Sequence, residues 1–186
     1  MGHQNQALRH YARNNAGTRA RRGRMTVGLI PGSFDPFHNG HLEVVERASR
    51  IFDEIVVAAI RNPQKSEPLF DLDQRREMIA ESCAHLSNVR IVSIATLLVN
   101  VARDVNATSI VKGLRAVSDF ESELQMAQMN RSLSGVETLF LPSSSHTSFI
   151  ASRLLREVAR YGGDVSSFVP APVRQRLDAK YPRVSS

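Results

Sequence analysis

From position 26 onward, short apolar runs alternate with longer stretches in which apolar residues return every three or four positions. A short, nearly continuous apolar run suits a strand buried on both faces, and the longer spacing suits a helix laid over it. The pattern predicts five strands, at 26–31, 54–60, 89–93, 109–111 and 136–141, with helices filling the intervals. Such alternation makes a single-domain α/β Rossmann-like fold, a five-stranded mostly parallel sheet flanked by helices. Boundary chemistry agrees. Asp71 with Gln74, and Ser118 with Glu121, have capping-box spacing at helix starts. Gly162 and Gly163 stop one helix, Pro170 opens the last, and 183–186 is expected to fray. No repeat or linker divides 25–186, which is read as one domain.

Composition sharpens this picture only in part. A chain of 186 residues can bury about 70% of its unfolded surface in one core. With 42% hydrophobic and 23% charged residues, it has the balance of an ordinary globular protein. The longest apolar runs, such as 55–60, are too short to cross a bilayer, and no secretory signal pattern is present, so a cytoplasmic location without a membrane partner is expected. Charge matters more for where it sits. The formal net charge is +6, and Arg9, Arg13, Arg19, Arg21, Arg22 and Arg24 supply all of it within 1–24, a stretch without acids. The remainder is neutral, which argues against a nucleic-acid groove on the folded body. Residues 1–24 are expected to be a disordered extension, a cloning remnant or the product of an upstream start, with Met25 the natural beginning. Cys83, the lone cysteine, can form no internal disulfide and is expected as a small buried side chain.

The chemistry concentrates where the first strand gives way to a helix, at Pro31-Gly32-Ser33-Phe34-Asp35-Pro36-Phe37-His38-Asn39-Gly40-His41. In a parallel sheet this junction lies at the carboxyl edge, where backbone N–H groups and the helix dipole favour phosphate. Gly32 and Gly40 would let a phosphate approach the backbone, Ser33 adds a hydroxyl, and His38 and His41 are three apart, on one face once the helix has begun. A metal site would need further ligands, and no suitable spacing supplies them. A purely structural role for the two histidines is the other bland reading. Phosphate binding accounts for glycines, hydroxyl and imidazoles together.

His38, Asn39, Gly40 and His41 resemble the HxGH signature of the nucleotidyltransferase superfamily, which includes the class I aminoacyl-tRNA synthetases. Lys112-Gly113-Leu114-Arg115, then Asp119-Phe120-Glu121 and residues 126–131, are similar to the phosphopantetheine adenylyltransferase family of bacterial coenzyme A synthesis, and the likeness runs from Met25 to about Lys180. That resemblance implies reversible transfer of an adenylyl group from ATP to 4′-phosphopantetheine, giving dephospho-coenzyme A and pyrophosphate. Its further implications are a homohexamer, feedback by coenzyme A, and Mg2+ carried on phosphates rather than in a protein cage.

The family likeness assigns His41 to the transition state at the α-phosphate, and Ser33 and Lys65 to the acceptor phosphate. Leu98 and Lys112 go to phosphopantetheine. Phe34 joins Ser33 and His41 at ATP, while Gly113, Leu114 and Arg115 hold the β- and γ-phosphates. Glu123 and the run Thr147, Ser148, Phe149, Ile150, Ala151, Ser152 and Arg153 contact the nucleotide. Two anions must meet in such a reaction, so positioning and positive charge supply most of the rate. Departures from the family pattern are visible. Threonine is common at the positions of Ser33 and His38, so His38 is given no essential role, and serines are common where Ala151 and Arg153 stand. Lys112 keeps the charge of an arginine but not its fork. Met126 and Met129 read as helix packing, and Ser122, His85 and His146 are given no role. The rival readings are a mononucleotide adenylyltransferase of NAD synthesis, a cytidylyltransferase, and a non-catalytic nucleotide sensor.

Overall fold

The structure is a computed structural model describing residues 25–61 and 67–182. Expectations for 1–24, Lys65 and 183–186 lie outside these residues. Five strands form one parallel sheet, β1 (Val27–Gly32), β2 (Glu54–Ile60), β3 (Val89–Ile94), β4 (Ser109–Leu114) and β5 (Glu137–Pro142), in the order β3-β2-β1-β4-β5. The central strands are apolar throughout because both faces are covered. Along β1 and β2, Leu29, Val56 and Ala58 enter one core while Ile30, Val57 and Ala59 enter the other, the two-residue alternation of a pleated strand. The larger core takes side chains from α1 (Asn39–Ser49), α2 (Leu72–Ser82), α5 (Ser152–Arg160) and α6 (Ala171–Lys180). The smaller is closed by α3 (Leu98–Asp104), with α4 (Val117–Ser134) lying against α3 and the β4–β5 edge. These are the six helices among the described residues.

Strand order reverses at β1, which has β2 on one side and β4 on the other. That switch point opens a crevice at the carboxyl ends of β1 and β4, the place where such sheets take ligands. The expected strands all form, and β4 runs on through Leu114, beyond 109–111. Lys112, Gly113 and Leu114 stay in the sheet because they pair with Phe140, Leu141 and Pro142 of β5, and backbone pairing leaves no trace in an apolar pattern.

The Asp71 capping box forms, with Gln74 N–H donating to Asp71 Oδ1 at 2.8 Å and Asp71 N–H to Gln74 Oε1 at 3.1 Å. The Ser118–Glu121 box does not form. Ala116 is the N-cap and contributes no side chain, because Asp119 N–H already bonds Ala116 O at 3.1 Å and Arg115 grips Asp119 at 3.1 Å, starting the turn earlier. Cys83 is buried as expected, and burial, with Glu46 nearby, pushes its thiol up to about 12. No helix among the described residues is long and apolar enough to cross a membrane.

Candidate active site

The loop after β1 is built around a glycine. A Cβ on Gly32 would lie 2.6 Å from the Phe34 ring, and Phe34 itself takes the left-handed region at φ 49, so the chain doubles back over a position without a side chain. Two buried charges then fix the loop. Asp35 accepts the backbone N–H groups of Leu69 (2.8 Å) and Phe70 (3.0 Å) and a bond from Arg156 (3.2 Å). Arg75 donates to Ser33 O at 2.6 Å and Ile60 O at 3.2 Å, tying the ends of β1 and β2 together. Sequence reasoning missed Asp35, Arg75 and Arg156. The Asp-Pro pair hinted at the first, but nothing local marks an arginine on α2 as buried.

His38 caps α1 in extended conformation. Its backbone N–H donates to His41 Nδ1 at 3.2 Å, so Nδ1 is bare and the neutral ring carries its proton on Nε2. Aromatic neighbours hold that ring on three sides. His38 stacks on it at 3.5 Å between centroids, Phe37 stacks at 5.5 Å, and Phe34 meets it edge-on at 5.0 Å. Burial, then the charge of Arg115, lowers His38 to about 3. The buried His38 Nδ1 has no hydrogen-bond partner, which is consistent with a ring that stays uncharged. Asn39 N–H bonds Phe168 O at 2.9 Å and its side chain Ser167 O at 3.1 Å, pinning the start of α1 to the segment before α6.

Across the crevice, a Cβ on Gly113 would fall 2.8 Å from Val44 Cγ2. Glycine there lets α1 lie close on β4. Leu114 O accepts from Ser143 N–H at 2.8 Å. Arg115 joins Asp119 and Ile150 O, both at 3.1 Å, bridging the end of β4 to the 147–153 run. Within that run Ile150 is buried, Phe149 and Arg153 are exposed, and Ser152 Oγ donates to Pro36 O at 3.0 Å. Both backbone groups of Ile150 are engaged, its N–H with Thr147 O at 3.0 Å and its O with Arg115. Ser33, Phe34, His41, Gly113, Leu114, Arg115 and 147–153 thus gather around the β1–β4 switch point.

Lys112, Leu98 and Glu123 gather elsewhere, on the α3–α4 side. Lys112 pairs with Glu123 at 3.0 Å, and with Leu98, Met126, Asn130 and Thr138 they line a narrow cleft. Glu123, expected at the nucleotide, is therefore first of all the partner of Lys112. Met126 and Met129, expected as helix packing, are 54% and 57% exposed within this chain, because α4 turns that side away from the sheet. Among the described residues no three acidic, histidine or cysteine side chains come together to hold a metal. The donors present suit an anion, with a fixed imidazole N–H and a guanidinium at a helix N-terminus.

The chain is similar to known proteins in sequence and fold. The family described as Cytidylyltransferase-like matches residues 29–158. A phosphopantetheine adenylyltransferase of Heliobacterium modesticaldum is 50% identical over 158 residues, covering 84% of this chain and 94% of its own. One from Nocardioides sp. is 51% identical over 156 residues, covering 84% and 98%. A solved structure from Vibrio parahaemolyticus, described as a nicotinate-nucleotide adenylyltransferase, superposes with a TM-score of 0.61 at 17% identity over 87% of this chain and 98% of that one, which bears on the fold alone. Identity of this level over 84% of the chain, with the HxGH loop at the switch point of the sheet, means that the chain belongs to the phosphopantetheine adenylyltransferase family of the cytidylyltransferase-like nucleotidyltransferases.

Proposed function

We propose that this protein transfers the adenylyl group of ATP to 4′-phosphopantetheine, reversibly, yielding dephospho-coenzyme A and pyrophosphate. The observation that carries the chemistry is the His38 N–H to His41 Nδ1 bond at 3.2 Å, because it leaves His41 with a proton on Nε2 to donate. An oxygen of the acceptor phosphate attacks the α-phosphorus, the bond from that phosphorus to the β-phosphate oxygen breaks, and pyrophosphate departs. Charge builds on the non-bridging α-phosphate oxygens, and the Nε2–H of His41 meets it there. Ser33 and Lys65 hold the acceptor phosphate, Leu98 and Lys112 the phosphopantetheine, and Arg115 with the Gly113 and Leu114 backbone the β- and γ-phosphates. Phe34 and 147–153 frame the nucleotide, while Glu123 stands with Lys112 in the α3–α4 cleft. Mg2+ arrives on the triphosphate, which suits a site rich in cations and imidazoles rather than carboxylate ligands.

The same reading extends to assembly and regulation. A hexamer with dihedral symmetry needs two kinds of interface. Two separate apolar surfaces support it: Val117, Met126, Met129 and Leu133 on α4, and Leu154, Val158 and Tyr161 around a depression of about 390 Å3 on α5. Coenzyme A shares both ends of the dephospho-coenzyme A product, so it competes for the site as a feedback inhibitor. A reaction drawing on ATP fits a cytoplasmic location.

The test is pyrophosphate release from ATP with phosphopantetheine, nicotinamide mononucleotide and glycerol 3-phosphate offered in parallel. Release with phosphopantetheine alone is expected. Release with a different acceptor overturns the substrate, and release with none overturns the enzyme in favour of a nucleotide sensor.

A further inference from the structure

We propose that Glu43 is a positioning residue that sets the nucleotide-contacting loop after β5 in register with His41. This rests on the ATP-dependent reading above. Glu43 lies two residues beyond His41 on α1, and its carboxylate reaches across to a segment about a hundred residues later. Ser144 N–H donates to Oε1 at 3.1 Å, Ser144 Oγ donates to Oε2 at 2.9 Å, and Thr147 Oγ1 also donates to Oε2. Arg47 balances the charge from one turn on, at 3.3 Å from Oε1, and donates to Pro142 O at the end of β5. One helix side chain and its cation therefore hold Pro142, Ser144 and Thr147.

The loop has few other supports. It leaves β5, the edge strand, which has a neighbour on one side only, and Ser145 and His146 at its tip are exposed. Apart from Glu43 and Arg47, the segment is tied by Ser143 N–H to Leu114 O, by Arg115 to Ile150 O and, at its far end, by the buried Ile150 side chain and the Ser152 Oγ bond to Pro36 O. The approach to α1 is tight, since a Cβ on Gly40 would sit 3.3 Å from Thr147 O. Thr147 opens the nucleotide-contacting run, so the Glu43 carboxylate fixes where that run stands relative to the His41 imidazole. Burial raises the Glu43 carboxyl, but the bonds from Thr147, Ser144 and Arg47 outweigh it and hold it below its ordinary value. It is therefore an ionised, acceptor-only group at neutral pH, suited to collecting several donors from one loop.

Glu43→Gln tests this, because the amide keeps the volume and helix propensity but removes the charge and leaves one acceptor oxygen where the carboxylate offers two to Ser144 N–H, Ser144 Oγ and Thr147 Oγ1. The dissociation constant for ATP, measured by calorimetry on the full chain without acceptor, is expected to rise roughly tenfold or more, as for loss of a charge-assisted bond. KM for phosphopantetheine should stay within about twofold, a split that general loss of structure would not produce. Thr147→Val should weaken ATP in the same direction by less, and the double variant should lose less than the product of the two single effects, since both remove one contact. If Glu43→Gln does not fold, Thr147→Val and Ser144→Ala carry the same comparison. An ATP dissociation constant within twofold of the parent, equal losses for both substrates, or fully multiplicative effects overturn the proposal. A parent that binds ATP but releases no pyrophosphate with phosphopantetheine refutes the acceptor and leaves Glu43 tested by the binding constants; a parent that binds no ATP refutes both.

Discussion

Helices α1 and α4 stand on either side of the crevice, and their surroundings are opposite. α1 has 11 residues, of which Gly40, Val44, Val45 and Ala48 are buried, and polar bonds from Asn39, Glu43 and Arg47 tie it to two other parts of the chain. α4 has 18 residues and buries only Asn130, leaving Val117 at 84% and Leu133 at 59% exposure. Apolar side chains on a helix are thus no guide to what they meet. α1 is completed by its own fold and holds the His41 imidazole in a fixed direction. α4 leaves an apolar face exposed, with its cleft side turned to Lys112.

The largest break in this comparison is removal of the group that α1 exists to aim. His41→Ala should lower kcat by about 10² to 10⁴ with a smaller change in ATP affinity, since the imidazole donor matters most as charge develops. A variant with near-parental kcat would refute the role.

Next in size is the division of cations between the two helices. Lys112, facing α4, should serve the acceptor, so Lys112→Ala should reduce kcat/KM for phosphopantetheine by roughly tenfold to a hundredfold while ATP binding measured by calorimetry changes little. Arg115→Ala should do the reverse, weakening ATP first. Equal damage to ATP binding by both would put both in the triphosphate site.

The cap of α1 has a pH signature. His38 ordinarily titrates at 6.5 and is lowered to about 3. Below pH 6.5 the unfolded chain gains a proton that the folded ring refuses, so this group's stability is intact above 6.5 and is lost as pH falls, at about 1.4 kcal/mol per pH unit down to about pH 3. Between pH 7 and pH 5 the loss amounts to about 2 kcal/mol. Denaturant unfolding of His38→Thr beside the parent at both pH values should show the variant losing less stability on acidification; parallel losses would contradict the buried neutral ring.

The smallest effect on fold stability belongs to the open face of α4. Met129→Lys with Leu133→Lys should change the stability of the single chain by about 0.5 kcal/mol or less. Light scattering should nevertheless show the parent as six chains of 20.7 kDa and the variant as a smaller species. An unchanged assembly would mean that α4 does not form an interface.

Much of the fold was legible from short-range patterns. Apolar runs placed all five strands, because burial on both faces demands them; the Gly-Ser-Phe-Asp-Pro and HxGH residues placed the loop between β1 and α1, because a strand, a glycine turn and a helix start are written within about ten positions; and Asp71 with Gln74 marked a helix start through bonds three residues apart. The Ser118–Glu121 spacing misled because Arg115 and Asp119 set the start of α4 instead. What joins distant segments was not legible. The Arg75 bond to Ser33 spans 42 positions and the Glu43 bond to Ser144 spans 101, and whether such side chains meet depends on strand order. The sequence by itself determined the strands, the helices and the reactive loop, through periodicity and local hydrogen bonding. Only the tertiary structure decided that α1 is locked and α4 left open, and that Lys112 faces Glu123, because each follows from packing between segments that no local rule connects.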